Sequence, residues 1–268
     1  GVELFSMTGP DNGVIVRPLA DITGDGRDEV LLGIDESGVP NLFALDGASA
    51  GTATPVWSFQ TFGGASGGSP YGDQCLVLAS DDDGNGHPNL LLGTAWGGRS
   101  AFELDGLAGA VRWRFDTYLT PESGWVYSLA EMSDVDGDGQ REVAFGAGSF
   151  NDTVWMIDGA SSAAGQATAR WSYYAGEAVV SVRNLGDADG DGHDDVLAGV
   201  GDQGYKVLAL SGGTASPSGS QLWQYPTPSS VYAVEVLPDL TGDGVDEALV
   251  GLWTTNGSAV RCLNGATG

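Results

Sequence analysis

Basic side chains are scarce in this sequence, with ten Lys and Arg against 36 Asp and Glu and a net charge of −26. Such a field repels phosphate backbones and anionic membrane surfaces, which excludes nucleic acid as a partner and leaves cations as the natural ones. Lys206 is the only lysine and His87 and His193 are the only histidines, so a Ser or Cys nucleophile has no evident imidazole base. Cys75 and Cys262 are too few for a disulfide framework, and their spacing matches no metal motif. No stretch approaches the roughly 18–20 consecutive apolar residues of a membrane-spanning helix. No signal peptide or initiator Met precedes Gly1, so the chain reads as mature, or as one unit of a larger protein or assembly.

Glycine, in contrast, is abundant at 44 of 268 residues, and apolar residues reach 41%. That mixture suits short strands joined by tight turns. Self-similarity then organises the whole chain. DITGDGRDEVLLG from Asp21, DDDGNGHPNLLLG from Asp81, DVDGDGQREVAFG from Asp134, DADGDGHDDVLAG from Asp187 and DLTGDGVDEALVG from Asp239 align without gaps, at spacings of 60, 53, 53 and 52 residues. This period fits a four-stranded propeller blade.

Each stretch ends in an apolar run closed by Gly33, Gly93, Gly146, Gly199 or Gly251, the pattern of a strand buried on both faces. A third strand ends at Asp46-Gly47, Asp105-Gly106, Asp158-Gly159, Ser211-Gly212 or Asn264-Gly265, and a fourth is marked by Trp57, Trp113, Trp171 or Trp223. The fifth repeat stops before a fourth strand, whereas the chain starts with GVELFSM, whose Phe5 stands where other repeats carry Trp. The expectation is an all-β, five-bladed β-propeller of four-stranded blades forming a single domain over 1–268, its last blade closed by the N-terminal strand. Blades are expected at about 14–60, 74–116, 125–175, 178–225 and 231–263 plus 2–7. In a five-membered ring the blades of Cys75 and Cys262 are not neighbours, so no bond between them is expected.

The loop before each apolar run places oxygen ligands at positions 1, 3 and 5, a carbonyl at 7 and a side chain at 9, a cage for a hard cation. The predicted ligands are Asp21, Thr23, Asp25, Arg27 and Glu29; Asp81, Asp83, Asn85, His87 and Asn89; Asp134, Asp136, Asp138, Gln140 and Glu142; Asp187, Asp189, Asp191, His193 and Asp195; and Asp239, Thr241, Asp243, Val245 and Glu247. At position 7 only the backbone would coordinate, which removes both histidines as candidate bases. Position 12 is apolar throughout, so these loops are not EF-hands. They resemble the FG-GAP or VCBS repeats of integrin α-subunit heads and of bacterial surface proteins. The resemblance implies about five Ca²⁺, one per blade, with the weakest site at Asp81 because Asn85 and Asn89 replace acids. Integrin heads are similar to seven-bladed rings, so their partner site is not carried over.

Extracellular calcium modules bind with dissociation constants of about 10⁻⁴–10⁻³ M, which points to a secreted or cell-surface location. On the face opposite the metal loops, Trp96, Phe150 and Trp253, with Tyr71 and Tyr118, form a candidate patch for a glycan or protein ligand. Two readings follow: a non-catalytic module for adhesion, glycan or protein recognition, or surface assembly, and a propeller-fold lyase or hydrolase acting on polysaccharide. No catalytic residue is assigned, although Glu131 and Glu235 beside Arg17 and Arg183 were weighed as an acid/base set. The scarcity of His and Lys favours the first reading.

Overall fold

Continuous apolar runs flanked by glycine form strands throughout this computed structural model, which describes residues 2–8, 13–34, 40–61, 74–95, 98–120, 124–162, 165–254 and 257–268. A short strand β1 (Phe5–Ser6) precedes sheet 1, which consists of β2 (Gly13–Leu19), β3 (Glu29–Ile34), β4 (Leu42–Leu45) and β6 (Pro55–Phe59), with β5 (Gly51–Thr52) in the connection before β6. Sheet 2 contains β7 (Leu76–Ala79), β8 (Asn89–Gly93), β9 (Ser100–Asp105) and β10 (Val111–Asp116). Sheet 3 contains β11 (Trp125–Glu131), β12 (Val143–Gly148), β13 (Thr153–Ile157) and β14 (Ala169–Tyr174). Sheet 4 contains β15 (Val179–Gly186), β16 (Asp195–Val200), β17 (Lys206–Ser211) and β18 (Ser220–Pro226). Sheet 5 has three strands, β19 (Val231–Leu237), β20 (Glu247–Thr254) and β21 (Gly257–Leu263). Every pairing within these five sheets is antiparallel and sequential, so each repeat makes its own sheet.

Core residues lie between successive sheets. One cluster joins Leu31 and Ala44 of sheet 1 to Leu90 and Leu104 of sheet 2, and others join sheets 2 and 3, 3 and 4, and 4 and 5. The second-strand glycines make this approach possible. A Cβ on Gly146 would lie 2.7 Å from Val179 Cγ1, and one on Gly199 would lie 2.7 Å from Val231 Cγ1. Three of the tryptophans tie their sheet to the next: Trp57 Nε1 donates to Gly106 O at 3.0 Å, Trp171 Nε1 to Gly212 O at 3.4 Å and Trp223 Nε1 to Gly265 O at 2.6 Å.

The N-terminal strand departs from expectation. Instead of joining sheet 5, β1 pairs in parallel with β5, Phe5 opposite Gly51 and Ser6 opposite Thr52. Phe5 and Met7 pack on a buried cluster of Ile34, Phe43, Leu45 and Ala53 in sheet 1 and its connection. The physical reason is that a fourth strand has two possible neighbours, the third strand of its own sheet and the connection of the sheet that follows. Ser172 of β14 makes the second kind of contact, bridging in parallel to Ser218 beyond sheet 3, and β1 makes it with sheet 1. Among the described residues, β21 consequently has no partner on its outer side. Among the described residues, sheets 1 and 5 share no apolar cluster either. Leu76, Leu129, Val182 and Val234, each five residues before a loop Asp, are at most 1% exposed, whereas Val16 at that position is 59% exposed.

The turn glycines serve a closer contact than sequence suggests. A Cβ on Gly159 would lie 2.0 Å from Arg141 O, and the same clash recurs at Gly47, Gly106, Gly212 and Gly265 with the carbonyl at loop position 8. Because this oxygen belongs to backbone, it has little room to yield. Gly159→Ala is therefore expected to lower unfolding stability by about 3 kcal/mol, read from the shift of the denaturant midpoint at unchanged slope.

Candidate functional site

All five Asp-rich loops adopt one backbone geometry. The glycines at positions 4 and 6 have positive φ in every loop, from 72° at Gly84 to 93° at Gly192. The left-handed conformation turns their N–H groups onto the first acid: Gly26, Gly86, Gly139, Gly192 and Gly244 each donate to Oδ2 of the Asp at position 1, at 2.6–3.0 Å. These backbone donors hold the carboxyls of Asp21, Asp81, Asp134 and Asp239 below the ordinary Asp value, the position-6 glycine acting most strongly. Position 7 donates its N–H to the side chain at position 5 throughout, as in Gln140 to Asp138 at 2.8 Å and His193 to Asp191 at 2.9 Å. Sequence reasoning recognised the glycine at position 6 but passed over the one at position 4, although it is invariant across the five repeats.

Position 9 opens the second strand of the sheet and is buried in each loop: Glu29, Asn89, Glu142, Asp195 and Glu247 are at most 2% exposed. In the four acidic cases one carboxylate oxygen accepts the N–H of position 2, from Ile22, Val135, Ala188 or Leu240, at 2.6–2.8 Å. The other oxygen of Glu29 is buried without a hydrogen-bond partner. Burial pushes Glu142 up to about 7 and Asp195 up to about 6. Metal-ligating atoms come within 4.8 Å of one another in Asp134, Asp136 and Glu142, and in Asp187, Asp189 and Asp195. These are the two loops with four acids. A further set joins Asp136 and Asp138 to Asp158, which the sequence had assigned to a turn.

The loops differ in what faces them. Arg112, just before Trp113, enters the second loop and pairs with Asp83 at 2.9 Å and with the buried Glu103 at 3.1 Å. Burial raises Glu103 to about 7, against the opposing pull of Arg112. Asn89 donates to Glu103 at 2.9 Å, so here the acid comes from the third strand and its cation from the fourth. Arg170, before Trp171, reaches Asp136 and Glu142 in the third loop. Leu222 and Val56 hold the corresponding places in sheets 4 and 1. In the fifth loop Asn264 Nδ2 donates to Asp243 at 2.6 Å.

Of the candidate acid/base set, Glu131, Arg183 and Glu235 are engaged in contacts between sheets, whereas Arg17 Nη1 donates to Val16 O of its own strand. Arg183 Nε meets both oxygens of Glu235 at 3.2 and 3.1 Å, and Glu131 accepts from Ser80 N and Oγ at 2.7 and 2.9 Å. Of the aromatic patch, Trp96 and Tyr71 fall outside the described residues. Phe150 is 77% exposed at a φ of 106°, while Trp253, 60% exposed, lies within β20 with its ring 5.6 Å from Tyr232. Phe150 follows β12 of sheet 3, and Trp253 belongs to sheet 5. Cys75 is buried and Cys262 is exposed, and no disulfide joins them.

No protein-family model and no curated protein matches the chain. Solved structures do match in fold, among them two with a TM-score above 0.5. One, described as BBS1N in complex with ARL6DN and soaked with lead, has a TM-score of 0.54 at 13% identity, covering 88% of this chain and 61% of that one. The other, from the Mitotic Checkpoint Complex, has a TM-score of 0.52 at 16% identity, covering 90% of this chain and 62% of that one. The chain thus spans about three fifths of the length of these solved chains, and the likeness identifies a β-propeller-type fold. No helix among the described residues is long and apolar enough to cross a membrane.

The Arg112 arrangement yields a signed expectation. Arg112→Met leaves Glu103 buried without its cation and should cost about 3 kcal/mol at pH 8. Glu103 is held up at about 7, so at pH 5 it is protonated in the folded chain and the same substitution costs less. Denaturation midpoints of both proteins at the two pH values check this.

Proposed function

We propose that the chain is a calcium-binding propeller module whose role is recognition or assembly at a cell surface or in a secreted protein. The observation that carries calcium is the buried acid at position 9, above all the partnerless inner oxygen of Glu29. A carboxylate held away from water needs a cation or a donor, and the neighbouring oxygens at positions 1, 3 and 5 suit a hard ion. Calcium is expected to bind most tightly at Asp187, where the acids converge with Leu222 rather than a guanidinium before the tryptophan. At Asp134 the ion competes with Arg170, and at Asp81 Arg112 takes the ion's place. Four ions are therefore expected rather than five.

Calorimetric titration of the calcium-stripped protein tests the reading. It should return a stoichiometry of about four and stabilisation near 1 kcal/mol per site at millimolar calcium. Asp187→Ala should remove the tightest site, and Arg170→Leu should tighten the third loop. A chain that takes up no calcium at 10 mM would overturn the proposal.

The finer architecture is proposed with it: five blades in a closed ring, sheet 5 seated on sheet 1. Two exposed groups support this. At Gly251 the nearest atom to an added Cβ is Ala233 O of its own sheet, at 3.5 Å, whereas Gly93, Gly146 and Gly199 each receive a side chain from the following sheet. Val16 is the matching residue left uncovered on sheet 1. Closing the ring would also bring the free side of β21 to β1. Gly251→Val should then destabilise as much as Gly199→Val, and amide exchange across 257–263 should be slow. A neutral Gly251→Val with fast exchange on β21 would speak for an open arc.

A further inference from the structure

A groove of about 650 Å³ lies between sheets 1 and 2, remote from the metal loops' ligands. Its size falls within the roughly 300–1,000 Å³ of small-molecule sites. Phe59 and Phe102 line its apolar part, edge to face with ring centroids 5.4 Å apart. Gln60, Arg114, Asp116 and Tyr118 supply its polar part.

That polar part is built rather than incidental. Asp116 is 1% exposed and accepts Ser100 Oγ at 2.6 Å, while its other oxygen pairs with Arg114 Nη2 at 2.7 Å. Gln166 brackets the Asp116 backbone, accepting its N–H at 2.9 Å and donating to its carbonyl at 3.0 Å. The turn that carries Tyr118 is anchored through the Thr117 hydroxyl, which donates to Arg99 O at 2.7 Å. The guanidinium is thus held in place by a buried acid, yet its side chain stays 46% exposed. The pair with Asp116 engages Nη2, one nitrogen of a group with five donors.

We propose that this groove binds a short stretch of a neutral polysaccharide. Asp116 cancels the charge of Arg114, so the site offers directed donors without net positive charge, and the chain's −26 disfavours anions at long range. A pyranose presents apolar C–H faces and a rim of hydroxyls. The exposed Tyr118 ring and the Phe59 and Phe102 wall meet the first, and Arg114 and Gln60 meet the second. Because the polar groups are already fixed, little ordering cost accompanies binding. The inference rests on the recognition role above and is independent of calcium.

Isothermal titration against cellohexaose, maltohexaose, mannohexaose and chitohexaose, with polygalacturonate as the acidic comparison, tests it. One neutral hexasaccharide should bind with a submillimolar dissociation constant. Tyr118→Ala should weaken it at least tenfold and Gln60→Ala several-fold, with circular dichroism unchanged in both. Arg114→Lys, which keeps the charge but loses the planar fork, should weaken it as well. No binding by any neutral sugar, binding by polygalacturonate alone, or affinity indifferent to Tyr118→Ala would each overturn the proposal. The calcium titration reads out separately, so either reading can fail without the other.

Discussion

Adjoining sheets in this protein come so close that the backbone of one meets the side chains of the next, and the rest of the architecture depends on that separation. Gly93, Gly146 and Gly199 leave no room for a Cβ because valines and a leucine from the following sheet fill the space. A parallel constraint acts at the loops, where the turn glycines lie against the carbonyl at position 8. The turn glycines hold the start of each second strand against its own third-to-fourth turn, and in sheets 2 to 4 the second-strand glycine brings the far end against the next sheet. The acid at position 9 stands at the turn-facing start and is buried, while the acids at positions 1, 3 and 5 are exposed or half-buried.

Burial of an acid at every repeat creates an electrostatic problem that the five sheets meet differently. In sheet 2 the strand-borne pair of Glu103 and Arg112 supplies both charges from within the fold. In sheet 3 Arg170 reaches the position-9 acid itself. In sheets 1 and 4 the residue before the tryptophan is Val56 or Leu222, and no arginine stands there. The divergence of one fourth-strand residue therefore decides whether a loop carries its own cation. Under the calcium-binding proposal, placing the counter-charge in the chain would make a sheet independent of metal, whereas leaving it out would couple folding to the ion.

The end of the chain follows the same logic. Sheet 5 has the glycine, the apolar second strand and the loop of its predecessors, but among the described residues its third strand pairs with no fourth and Gly251 meets no side chain of another sheet. Sheet 1 has the reciprocal deficit at Val16, partly compensated where Phe5 and Met7 cover Phe43 and Leu45. The uncovered positions thus stand at the two ends of the repeat array.

Much was legible in the residues alone. The period of the Asp-rich stretches determined the number of sheets, and the apolar runs and tryptophans determined their strands, because a repeat that buries its own face must recur in register. The oxygen-rich positions were readable for the same reason: acids at fixed offsets within one turn converge through local geometry. Contacts between strands distant in sequence were not readable. That Arg112 enters the second loop, that Asp158 joins the third, that Phe150 and Trp253 stand on different sheets and that β1 lies along β5 all depend on which strand ends meet. Local spacing dictates the shape of each loop, but the packing of one sheet against the next decides which charges face it.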